Sequence, residues 1–126
     1  MNKKLIIISA AVMLLLDSIY LKSVSNYYNK IINNIQGSDI KIRYGAVIAC
    51  YLFLVYGLNY FIIDKKANLW NAFVLGLVIY GVFETTNYAI IKDWEMFAVV
   101  SDSIWGGVLF ATTTYITYKL NESKMI

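Results

Sequence analysis

The chain has 126 residues, 60% of them hydrophobic and 15% charged, with a formal net charge of +3. A soluble domain carries about 25% charged residues and about 45–50% apolar ones, so this chain lacks the polar surface that a water-soluble core requires. It has no histidine and one cysteine, Cys50, which excludes Ser-His and Cys-His catalytic pairs, an internal disulfide and a thiolate zinc site.

The N-terminus imitates a signal peptide. Asn2-Lys3-Lys4 is followed by an apolar run to Leu16, and Ser23-Val24-Ser25 resembles a weak cleavage site. We read this segment as a first transmembrane helix over about residues 5–22. In the link that follows, Tyr28, Ile31, Ile32 and Ile35 show i, i+3, i+4, i+7 spacing. The spacing predicts a short interfacial amphipathic helix on the membrane surface, ending near Gly37.

Three further apolar segments cover about residues 44–63, 69–91 and 96–118. Each is long enough to cross about 30 Å of hydrocarbon at about 1.5 Å per residue. The connections at 64–68 and 92–95 are short, so the last three helices are antiparallel neighbours. There is no proline to break them and no internal repeat is evident. The expected fold is all-α: one four-helix transmembrane bundle over residues 1–126. The pairs Gly45/Ala49 and Gly107/Ala111 are weak helix-packing signals.

Orientation rests on the basic residues. With the N-terminus inside, the cytoplasmic side holds Lys3, Lys4, Lys65, Lys66, Lys119 and Lys124, and the outer side holds Lys22, Lys30, Lys41, Arg43 and Lys92. The Lys3-Lys4 and Lys65-Lys66 pairs flank helices directly, so both termini are expected in the cytoplasm of a multi-pass protein.

Three acids interrupt the apolar segments: Asp17, Glu84 and Asp102. Ionisable groups at membrane depth are costly and face a partner or a cavity. Counting along the helices puts all three about 8–11 Å below one face. Tyr80, Glu84, Asn87 and Tyr88 share one side of the third helix, Asp102 and Gly106 one side of the fourth, and Trp105 lies close by. Tyr20 follows Asp17 by three residues, and Tyr51 reaches a similar depth. No Lys or Arg lies deep in any segment, so three ionised carboxylates would repel each other. Lys22, Arg43 and Lys92 stand at the rim above them. One of these bases, Arg43 first, is expected to pair with an acid, because a guanidinium can bind a carboxylate bidentately.

The runs Phe83-Glu84-Thr85-Thr86-Asn87-Tyr88-Ala89, Lys92-Asp93-Trp94 and Ser101-Asp102-Ser103-Ile104-Trp105-Gly106, with Leu16-Asp17-Ser18-Ile19-Tyr20-Leu21, resemble a family of small predicted membrane proteins. It is a domain of unknown function found in bacteria and large DNA viruses. The family pattern resembles Tyr-Asp-Leu-Thr-Asn-Leu-Ala, Lys-Gly/Asp-Trp, Asp-x-x-Trp-Gly and Leu-Asp-x-x-Trp-Leu. Here Glu84 stands in place of Asp, and Tyr20 in place of Trp, which weakens a stacking role at that position. The resemblance implies a four-helix fold and no particular activity.

Three functions are open at this point. The bundle binds a cation or small polar ligand through Asp17, Glu84, Asn87, Asp102, Trp105, Tyr51 and Tyr80, as a small transporter does. Alternatively, it is a structural or assembly protein of a cellular or viral membrane. In a third reading, a carboxyl serves as acid or base in an intramembrane enzyme, although no nucleophile is evident. The sequence implies no cofactor and names no metal. The expected partners are the lipid bilayer and further copies of the chain, not nucleic acid.

Overall fold

The computed structural model describes residues 1–122. Four helices follow in order: α1 (Lys3–Gln36), α2 (Tyr44–Leu58) continued by a π-helical turn (Asn59–Ile63), α3 (Leu69–Ile90) and α4 (Met96–Glu122). No strand occurs among the described residues. All four helical segments are long and apolar enough to cross a membrane. Their outer faces carry large exposed side chains such as Phe53, Trp70, Phe97 and Ile90, as expected where lipid tails are the solvent.

α1 differs from the expected pattern. It does not stop near Lys22 but runs on to Gln36 without a break. The Asn2 side chain caps its start by accepting from the backbone N–H groups of Lys4 and Leu5. Gly37 ends it at φ +72° and donates its N–H to the Asn33 carbonyl at 2.8 Å, the left-handed close that glycine adopts without a Cβ penalty. The amphipathic face therefore does not lie flat as a separate interfacial helix. Ile31 packs with Trp94, Ala98 and Val99, flanked by Tyr27, Tyr28 and Ile32, so that face covers the α3–α4 connection. Burial against protein keeps this segment helical.

The main core joins Met13 of α1, Leu54, Val55 and Leu58 of α2, Ala72 of α3, and Leu109 and Phe110 of α4. α3 and α4 form the most extensive helix pair. Small residues set their spacing: a Cβ built on Gly76 would come 2.1 Å from the Gly106 carbonyl oxygen, and one on Gly106 would strike the Tyr80 ring. Such close approach is the main source of helix affinity in lipid, where apolar side chains gain nothing by leaving the tails. Gly107 is likewise filled by the Phe73 ring, but Gly45 faces open space and packs against nothing.

The π turn places Asn59 in the interior. Its Nδ2 donates to Ser9 Oγ at 2.9 Å and to the Val55 carbonyl at 2.8 Å, tying α2 to α1. The Tyr118 hydroxyl donates toward the Ala67 and Ile62 carbonyls and fastens the α2–α3 turn to α4.

Candidate functional site: an acid and aromatic layer

Asp17 and Tyr20 lie three residues apart on α1, one helical step along the same face. Asp102 and Trp105 have the same spacing on α4. Because the two helices are antiparallel, the pairs meet crosswise. Trp105 Nε1 donates to Asp17 Oδ1 at 2.9 Å, and the Tyr20 hydroxyl approaches Asp102 Oδ1 at 3.4 Å. The Tyr20 and Trp105 rings stack between these contacts, 4.4 Å apart and 6° from parallel. A stacking role at Tyr20 is therefore kept although the family's Trp is absent.

The other two helices complete the layer. The Tyr51 hydroxyl of α2 donates to Asp17 Oδ2. On α3, Glu84 accepts from Trp94 Nε1 at 2.8 Å, and its carboxyl lies within hydrogen-bonding reach of that of Asp102. Asp17 is 5% exposed and Glu84 1%. At such burial an unpaired charge would be prohibitive, which is why each carboxyl has a donor. The buried Tyr28 hydroxyl stands within electrostatic reach of Asp102 and Glu84 but makes no well-formed hydrogen bond.

Other expected residues fall outside this network. The Tyr80 ring packs against Gly106 and edge-on to Phe110. Asn87 is half-buried and contributes its backbone carbonyl to cap α3. Thr85 bonds back to the Gly81 carbonyl at 2.6 Å, the local bond common for threonine in membrane helices. Lys22, Arg43 and Lys92 are exposed, and the ion pair among the described residues is Lys119 with Glu122. The expectation of a basic partner from the rim is therefore corrected: neutral indole and phenol donors satisfy the acids. An aromatic donor reaches a carboxyl from within the apolar bundle without bringing a second charge that would itself need desolvation.

The layer has two centres: Asp17 with Tyr51 and Trp105, and the Glu84–Asp102 pair with Trp94 and Tyr20. Among the described residues no group of three or more acids, cysteines or histidines is placed to hold a metal ion. Trp94 and the Tyr20–Trp105 stack were not assigned these roles from sequence. A signal was available: Asp17-Ser18-Ile19-Tyr20 recurs almost unchanged as Asp102-Ser103-Ile104-Trp105, a four-residue repeat too short for a search for tandem units.

Residues 2–119 match the family described as "Predicted membrane protein (DUF2177)". The chain belongs to this family. Comparisons with curated proteins and with solved structures gave no match. The DUF2177 match spans all four helices and the whole acid and aromatic layer, and establishes a membrane protein whose multi-pass character agrees with the four apolar helices.

Proposed function

We propose that this chain is a structural component of its membrane, and that its buried acids lock four helices together rather than conduct an ion. One observation carries the reading: each of the three carboxyls is taken by an aromatic donor from another element, Asp17 by Trp105 and Tyr51, Asp102 by Tyr20, and Glu84 by Trp94. An ion pathway needs acceptors facing water or a passing ion. Instead Asp17 and Asp102 bridge α1, α2 and α4, with the stacked rings between them, and Glu84 holds the α3–α4 connection.

The test is reconstitution into liposomes with Na⁺, K⁺ and H⁺ flux measured beside unfolding in detergent. We expect no flux above protein-free vesicles, and lower stability for Asp17→Leu, Glu84→Leu and Asp102→Leu. Flux that Asp102→Asn abolishes while stability holds would overturn the proposal.

A second reading has its own observation. The Glu84 and Asp102 carboxyls lie within reach of each other, close enough to share a proton, and among the described residues no basic side chain forms an ion pair with either. The cation such a site holds is then the proton, shared as in other paired carboxyls. Difference infrared spectra should contain a protonated-carboxyl C=O band that Asp102→Asn alters; without such a band this reading fails.

A further inference from the structure

We propose that the end of the bundle where α1 begins holds one phospholipid, whose headgroup carries a primary ammonium and a phosphodiester. Two adjoining spaces carry the proposal. A cavity of about 430 Å³ with a mixed lining lies between the start of α1, the π turn, the α2–α3 turn and the end of α4; its polar groups come from Asn2, Asn59, Asp64, Lys66, Tyr118 and Glu122 among others. An apolar groove of about 390 Å³ runs between α1 and α2, lined by Ile6, Ala49, Leu52, Phe53 and Tyr56. Met1 lines both, so they meet. Each has the size of a small-molecule site, roughly 300–1,000 Å³.

The geometry matches one leaflet. Asn59 borders the cavity and Ala49 the groove, and ten residues of helix (59 less 49) rise about 15 Å, half of the roughly 30 Å hydrocarbon layer. The groove is therefore as deep as one acyl chain, and its walls, Phe53 and Leu52 among them, are exposed apolar side chains.

The polar end is selective because its groups are unmatched in a particular way. Asn59 is 2% exposed, and its Nδ2 donates to Ser9 and Val55, while its Oδ1 accepts nothing among the described residues. Lys65 is already occupied: its ammonium donates to the Tyr60 carbonyl at 2.8 Å and lies over the Tyr60 ring. Glu122 pairs with Lys119. Asp64 and Lys66 form no ion pair among the described residues, and Lys66, at φ +52°, is presented by a left-handed turn. Among the described residues Asp64 and Asn59 Oδ1 remain as acceptors for a ligand, and Lys66 and the Met1 ammonium as cations. A primary ammonium has N–H donors for the former, and a phosphodiester answers the latter. A choline headgroup has no N–H to donate. A glycerol headgroup leaves Asp64 without a counter-charge.

The experiment is native mass spectrometry of the delipidated full chain in detergent. It would be titrated with phosphatidylethanolamine, phosphatidylcholine and phosphatidylglycerol of equal chain length, and with free phosphoethanolamine. We expect one phosphatidylethanolamine per chain, with the other two lipids about fivefold weaker or more. Lys66→Gln and Asp64→Asn, both at exposed turn positions, should each weaken that lipid about five- to tenfold. Ala49→Phe, which fills the groove, should weaken the lipid and leave the free headgroup unaffected. Circular dichroism confirms that each variant is folded. Equal retention of all three lipids would reduce the site to annular lipid and overturn the proposal. So would free phosphoethanolamine binding as tightly as the lipid.

Discussion

Replacing Trp105 by Phe removes one N–H and keeps an aromatic ring over Tyr20. The lost contact is the 2.9 Å bond to Asp17, a residue that is 5% exposed. In soluble proteins a hydrogen bond to a charged group contributes about 1.5–3 kcal/mol. Interhelical bonds measured in a membrane protein average about 0.6 kcal/mol and reach about 1.7. Tyr51 still donates to Asp17 in the variant, which argues against the upper range. A loss of about 1–2 kcal/mol is expected, equivalent to roughly tenfold in the unfolding equilibrium. The assay is unfolding in mixed micelles with rising SDS, followed by circular dichroism. A double-mutant cycle with Asp17→Ala isolates the pair. If the bond matters as described, the two substitutions couple by about 1 kcal/mol. Coupling within about 0.3–0.5 kcal/mol of zero, where independent sites add, would refute the reasoning.

Glu84 has one aromatic donor where Asp17 has two, so Trp94→Phe should cost more than Trp105→Phe in the same micelle titration. Gly76→Ala would force a Cβ against the Gly106 carbonyl and should destabilise by about 1–3 kcal/mol or prevent folding. Gly45→Ala meets nothing and should be neutral or stabilise by up to about 1 kcal/mol, as read from thermal melts. Gly37→Ala must hold φ +72° and should cost about 1–2 kcal/mol, with Gly37→Asn closer to wild type. In a Cys50→Ser background, cysteines placed at Ser38 and Asp93 should label from one side of sealed vesicles, and one at Lys66 from the other; any other grouping refutes the four-crossing topology.

The four helices were legible because hydropathy records the solvent directly: an 18-residue apolar window has few stable alternatives. The acids were legible for the same reason, since Asp17, Glu84 and Asp102 stand out against apolar neighbours. Their partners were not. Tyr and Trp are common at every depth of this chain, and which indole reaches which carboxyl depends on the rotation of one helix about another. The basic rim was a poor guide because charge suggests attraction while saying nothing of reach. Gly76 was not singled out, and Gly106 only as a neighbour of Asp102, because small residues look alike in sequence whether they face a neighbour, as these do, or open space, as Gly45 does. The length of α1 was missed because polar residues 22–30 look like a membrane exit; the helix continues because Ile31 and Tyr28 find Trp94 and Ala98.

The Trp105–Asp17 contact joins residues 88 positions apart in the chain. A ribosome adding about 5–20 residues per second makes Trp105 some 4–18 s after Asp17. During that interval α1 has already been offered to the membrane with an acid at depth, a group whose insertion alone costs about 2.5–3.5 kcal/mol at a helix centre. Tyr51 follows Asp17 by 34 residues and is the first partner that can reach it. The order of synthesis therefore offers Asp17 the Tyr51 hydroxyl of α2 before the Trp105 indole of α4. A chain arrested before α4 would lack the Trp105 donor and leave Asp17 with Tyr51 alone.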